Sequence, residues 1–214
     1  MATKYCVAAG DTYPSLARHF YRDDAMAGAL AAANHMTETT SLLTGQELVI
    51  PYITKRHVVD VGDTLYDLAQ LHYGNGAMFP VLASANHIAA PYVVHPGDSL
   101  LVPDLINTSS HTVYPGETLQ EFAVRWYNDE QCELLIAYAN NLAEHHEIEV
   151  GQVLARPGLN RRHTVEPGET WAQLGQWWYG DPALDRLIAL ANGLPDDEPP
   201  PVGTLLFFPD LAEF

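Results

Sequence analysis

The stretch Val59-Asp60-Val61-Gly62-Asp63-Thr64-Leu65 returns, with altered spelling, three more times along the chain. Its glycine has counterparts at Gly10, Gly116 and Gly168, at intervals of 52, 54 and 52 residues. Working outward from each glycine, a tyrosine stands eleven positions on (Tyr21, Tyr73, Tyr127, Tyr179) and an asparagine twenty-four positions on (Asn34, Asn86, Asn140, Asn192). A second glycine follows at thirty-five (Gly45, Gly97, Gly151, Gly203) and a proline at forty-one (Pro51, Pro103, Pro157, Pro209). No insertion or deletion falls between these anchors, so one small fold is used four times. The repeats cover residues 4–53, 56–105, 110–159 and 162–211, the first being the most divergent.

The second copy serves as template. His57-Val58-Val59-Asp60 favours a short strand, closed by a turn at Gly62. Thr64, like Thr12, Thr118 and Thr170, precedes a helical run and can cap its free backbone donors. Apolar residues then recur at helical spacing, as in Leu119, Phe122, Ala123 and Trp126. A short Gly, Asn or Asp turn such as Tyr73-Gly74-Asn75-Gly76 folds a second helix against the first. The asparagine is read as the helix terminator, adopting the left-handed backbone. A loop of about ten residues leads to the second glycine and to a strand such as Leu100-Leu101-Val102-Pro103, stopped by its proline. The expected fold class is α+β: four tandem βααβ modules, each a two-stranded antiparallel sheet with both helices packed on one face.

Composition narrows the functional classes. Of the net charge of −17, the four repeats carry −2, −4, −6 and −6 and the residues outside them +1, a balance that repels nucleic acid and anionic membranes. The two cysteines, Cys6 and Cys132, fall at different repeat positions, which excludes a repeated disulfide staple. Cys132 takes the slot of Met26, Met78 and Leu184, the place of a core hydrophobe. With the first repeat starting by Lys4, no signal peptide is expected. The implied protein is cytoplasmic as made. It reaches a wall by lysis or a dedicated export route, or belongs to a virion or phage-like particle.

The pattern V-x-x-G-[DE]-T-[LYW], Tyr-Gly, Ala-Asn and G-x-x-L-x-x-P resembles the LysM module. In the second copy it reads Val59 to Leu65, Tyr73-Gly74, Ala85-Asn86 and Gly97-Asp98-Ser99-Leu100-Leu101-Val102-Pro103. The resemblance implies binding of polymers containing N-acetylglucosamine, peptidoglycan or chitin, without catalysis, in a shallow groove between two loops. The first loop corresponds to Asp63, Thr64 and Leu65, to Glu117, Thr118 and Leu119, and to Glu169, Thr170 and Trp171. The second corresponds to Asn86, His87 and Ile88, to Asn141 and Leu142, and to Gly193 and Leu194. Backbone groups would hold the acetamido substituent and an apolar side chain would lie under the sugar. Several weak sites on one chain would gain avidity.

No nucleophile with an adjacent base and no phosphate loop is legible, so a non-enzymatic protein without cofactor or metal is expected. His57, His111 and His163 recur once per repeat on a strand and read as packing. His145-His146, beside Glu147 and Glu149, is too small a cluster for a closed metal site. Trp126 and Trp178 lie on the buried stripe, whereas Trp177 should face outward. An alternative function follows from the short linkers, such as Ile106-Asn107-Thr108-Ser109: a structural component of a phage tail, baseplate or contractile injection assembly, binding protein partners rather than sugar.

Overall fold

The computed structural model describes residues 2–143 and 147–211. The first repeat consists of β1 (Thr3–Cys6), α1 (Tyr13–Tyr21), α2 (Ala27–Ala32) and β2 (Glu47–Ile50). The second has β3 (Lys55–Val58), α3 (Leu65–Tyr73), α4 (Phe79–Ala85) and β4 (Ser99–Val102). The third has β5 (Asp104–Thr112), α5 (Leu119–Tyr127), α6 (Glu133–Ala139) and β6 (Val153–Gly158). The fourth has β7 (Arg161–Thr164), α7 (Trp171–Tyr179), α8 (Asp185–Ala191) and β8 (Leu205–Phe208). The strands of each repeat pair with each other in a two-stranded antiparallel sheet, so the α+β βααβ reading holds in all four copies.

Each repeat is tied by the same few contacts. Threonine caps the first helix in extended geometry, its hydroxyl accepting from the backbone N–H three residues on, in α1, α3, α5 and α7. That helix ends on a left-handed residue: Arg22, Gly74, Asn128 or Gly180. The tyrosine of the last turn donates its hydroxyl to the carbonyl of the closing proline: Tyr21 to Pro51 at 2.9 Å, Tyr73 to Pro103 at 3.2 Å, Tyr127 to Pro157 at 2.7 Å, Tyr179 to Pro209 at 3.0 Å. This bond, spanning thirty residues, staples the helix end to the strand end. Burial of Tyr21 and Tyr179 raises their phenol pKa well above the ordinary value, keeping the hydroxyls as donors.

Two sequence expectations change here. The asparagine after the second helix is not left-handed: Asn86, Asn140 and Asn192 have φ of −113°, −99° and −97°. The left-handed position is the next residue, at His35, His87, Asn141 and Gly193. The asparagine instead spends its amide on both neighbours. Asn86 Nδ2 donates to Leu82 O and to Leu101 O, both at 2.8 Å, while Oδ1 accepts from Leu101 N at 2.7 Å. Asn34, Asn140 and Asn192 make the equivalent three bonds to Leu30 and Val49, Ile136 and Ala155, and Ile188 and Phe207. A two-stranded sheet leaves two edges, and this amide pairs one of them as a third strand would. The second change concerns the linker 106–109, which lies within β5. There the register shifts, and Asp104 accepts from Ile106 N and Asn107 N at 2.8 and 3.0 Å.

The chain forms two compact units, and one of them is discontinuous in sequence. One joins the first repeat to the fourth (residues 1–53 and 162–214), the other the second to the third (54–161). In the first unit α2 packs on α8. Ala29, Ala32 and Ala33 there share a core with Leu184, Leu187 and Ala191. The alanine-rich sequence of α2, a departure from the other copies, follows from this packing: a Cβ on Gly28 would stand 3.0 Å from Leu190 Cδ1. In the second unit α4 packs on α6. That unit's chain ends are joined by reciprocal bonds, Thr54 N to Asn160 Oδ1 at 2.7 Å and Asn160 N to Thr54 Oγ1 at 2.8 Å. A fifty-residue module encloses little apolar volume, and pairing second helices adds a shared core to two small ones.

Candidate functional site

The first loop of every repeat is built around one carboxylate. Asp63 accepts from Asp60 N at 2.9 Å and faces His57 Nε2 at 3.3 Å. Glu117 accepts from Tyr114 N at 2.8 Å and lies 2.7 Å from His111 Nε2, with Arg125 at 3.1 Å. Glu169 accepts from Glu166 N at 2.8 Å and lies 2.9 Å from His163 Nε2. In the first repeat Tyr5 replaces the histidine, donating its hydroxyl to Asp11 at 2.8 Å. The strand histidines therefore do more than pack: each holds the acid that closes the turn. The signal was present in the sequence as a histidine or tyrosine six residues before every loop acid.

These contacts set the electrostatics. His111, then the Tyr114 amide and Arg125, hold the Glu117 carboxyl down at about 2. The Asp60 amide, then His57, lower Asp63. Burial works against ionisation of Glu169, but the Glu166 amide and His163 outweigh it and its pKa falls. Behind His57, burial, Lys55 and His57 itself push His72 down to about 4. Asp63, Glu117 and Glu169 therefore read as ionised turn clamps at neutral pH.

The remaining candidates divide between core and surface. Leu65 and Trp171 are buried in their module cores, and Ile88 and Leu194 pack half-buried against those cores from the second loop. The apolar residues of the two loops thus meet within a repeat. Leu119 and Leu142 are half-buried, Leu142 N donating to Ala137 O at 2.9 Å. Thr64, Thr118 and Thr170 are exposed caps; His87, Asn141 and Gly193 are exposed on left-handed backbone; Asn86 is the amide clamp described above. In the fourth repeat Trp171 Nε1 donates to Glu198 O at 2.6 Å, tying its two loops together, while Asp196 of the same loop pairs with Arg186. In the first, Tyr13 reaches Met36 Sδ at 3.0 Å.

A cavity of about 450 Å³ opens in the second unit. One wall is the second loop of the second repeat, with His87, Ile88, Ala89 and Tyr92; the other is α6 and its approach, with Glu133, Leu134 and Tyr138. Sequence reasoning missed it because both walls are complete only when two repeats pair. Tyr92 adopts φ +60°, an uncommon conformation for a bulky residue, and rests against Phe79 at 5.2 Å. Trp126 is buried and stacks on Phe122 at 4.9 Å, Trp178 stacks on Phe208 at 4.4 Å, and Trp177 is 71% exposed. Arg156, in a slot that is apolar elsewhere, lays its guanidinium over Trp126 and Tyr127. His145 and His146 lie outside the described residues. No described helix is long and apolar enough to cross a membrane.

Comparison with known proteins adds the following. The chain is 39% identical over 150 residues to Esterase Rv1288 and to Esterase MT1326, from two strains of Mycobacterium tuberculosis. The match takes in 70% of this chain and 32% of those proteins, so the chain spans about a third of the length of the curated relatives it matches. Among solved structures it is similar to the spore cortex-lytic enzyme SleL of Bacillus megaterium, at 31% identity over 50% of this chain and 24% of that one, with a TM-score of 0.25. The SleL of Bacillus cereus matches at 25% identity over 53% and 24%, with a TM-score of 0.23. The expectation of a non-enzymatic protein is corrected by the two Mycobacterium tuberculosis relatives, which are named as esterases. The tail-and-baseplate reading finds no support among them. The LysM domain model matches residues 5–51, 57–103 and 111–157, leaving the fourth repeat unmatched. The chain belongs to the LysM family, whose domains bind peptidoglycan and related N-acetylglucosamine glycans.

Proposed function

We propose that this chain holds ester-hydrolysing chemistry against a wall polymer, gripping peptidoglycan or a chitin-like glycan through its LysM modules. The observation that carries the reading is the threefold LysM match together with relatives named as esterases. The grip is assigned to the groove between the Asp63–Leu65 and Asn86–Ile88 loops of the second repeat, with the matching loops of the third as a further grip. In the fourth repeat the Trp171–Glu198 bond occupies the space between the loops, which fits a role in building the unit. Export from the cytoplasm by a dedicated route accompanies this proposal.

The test is calorimetric titration with N-acetylglucosamine oligomers of increasing length, beside a pull-down on insoluble peptidoglycan and chitin. Affinity should rise with oligomer length as more modules engage. Thr64→Asp keeps a side-chain cap while adding charge at the first loop, and Ile88→Arg places a cation at the second. Together they should weaken oligomer binding about tenfold or more, equivalent to about 1.4 kcal/mol. Unchanged affinity in a variant that still gives the parent circular dichroism would sink this site. A chromogenic acyl ester, assayed free and in the presence of peptidoglycan, tests the catalytic half of the proposal.

A further inference from the structure

At the junction of the second and third repeats three side chains with different metal-binding chemistry converge. His87 Nε2 lies 2.8 Å from Asp129 Oδ2, and Cys132 Sγ lies 3.7 Å from the same oxygen. The nitrogen, oxygen and sulfur atoms all fall within 4.8 Å of one another. Tetrahedral zinc bonded at about 2.0–2.3 Å to such donors sets them about 3.3–3.8 Å apart, so sub-ångström to ångström adjustments complete the geometry. The other carboxylate oxygen, Asp129 Oδ1, accepts from Gln131 N at 3.0 Å, which fixes Oδ2 toward the histidine and the thiol. His87 also lines the cavity between α4 and α6, so solvent can supply a fourth ligand from that side.

The first unit provides an internal comparison. The equivalent histidine and aspartate, His35 and Asp181, also face each other across the junction of two repeats, at 3.8 Å. At the position of Cys132 that unit carries Leu184, which is buried. The histidine–aspartate contact is thus a shared feature of paired repeats, and the thiol is what distinguishes the second unit. A packing role accounts for a sulfur in a buried slot; it does not account for one set beside an imidazole and a carboxylate aimed at the same point.

We propose that His87, Asp129 and Cys132 bind a divalent ion of the zinc class, linking the second repeat to the third. Thiolate and imidazole together select such borderline ions over magnesium or calcium. Binding forms one bond each from Sγ, Nε2 and Oδ2, and the thiol proton leaves to solvent. The site rests on its own geometry, and His87 is the residue it shares with the loop assigned to the glycan grip.

The repeats supply conservative test substitutions. Cys132→Leu copies Leu184, His87→Asn copies Asn141 on the same left-handed backbone, and Asp129→Asn copies Asn75, which caps Ala77 in the same way. The untagged chain, stripped with chelator, would be titrated with zinc against a chromophoric chelator and with cobalt by absorption spectroscopy. One ion per chain is expected, with a thiolate-to-cobalt charge-transfer band. Cys132→Leu should abolish that band, and each of the three variants should weaken zinc binding by about tenfold or more. His35→Asn should leave both readouts unchanged. Absence of stoichiometric binding, or binding and a band that survive Cys132→Leu and His87→Asn, would overturn the proposal. Unfolding of metal-free variants at the parent midpoint confirms that a loss is not a loss of fold.

Discussion

The two units solve one problem with different side chains. Each pairs the second helix of one repeat with that of another, but the first does so through glycine and alanine while the second leaves room. Gly28 sits against Leu190 on the first junction. The corresponding positions of the second unit, Pro80 and Tyr138, both line the 450 Å³ cavity, with Ser84 and Leu134 beside them. Where small residues let helices approach, the junction is core; where larger and polar ones stand, it becomes a site. Duplicated modules can therefore keep one backbone and divide labour at their seams.

The clamp that both units share gives the largest expected effect. Asn34→Ala and Asn86→Ala each remove three hydrogen bonds and strand the N–H and C=O of Val49 or Leu101. Each should cost about 2–4 kcal/mol in denaturant unfolding, the two agreeing within about 1 kcal/mol. A clear difference between them would break the equivalence of the repeats. Next comes the seam itself. Gly28→Leu should destabilise by about 1–3 kcal/mol through overpacking, whereas Ser84→Leu, placed at the cavity, should change stability by less than about 1.5 kcal/mol. Equal penalties would show that the cavity wall cannot take added volume.

The smallest effect is a pH slope in the second unit. Glu117 is held at about 2 against an ordinary 4.5, so its folded-state pKa is depressed. Its contribution is fully present above about 4.5 and is lost as pH falls toward about 2, because the unfolded chain binds the proton first. Unfolding followed across that window should show stability falling with acid, and Glu117→Gln should flatten the slope. A parent and variant with the same slope would remove the clamp from the account.

Much of this was legible in the residues because local chemistry repeats with them. Threonine caps, left-handed turns and the apolar stripes are short-range devices, and Thr64, Gly74 and Leu68 could be read one repeat at a time. Asn86 was harder. The left-handed reading was local and misplaced by one residue, since the side chain's partner Leu101 lies fifteen residues on. The histidine–acid pairs were visible as a fixed six-residue spacing whose meaning needed the turn to bring His57 onto Asp63. The candidate residues Leu65 and Trp171 match a groove motif, yet their burial shows that the same side chains build the module.

The sequence by itself determined the module, its recurrence and the family, because each rests on contacts within fifty residues. Tertiary structure alone decided which repeats pair. The first joins the fourth across the whole chain and the second joins its neighbour the third, since helix faces rather than chain order select the partner. It also decided that Cys132, His87 and Asp129 meet, and that a cavity opens beside them. Residues forty-odd positions apart come into register only when two modules bury their shared helices.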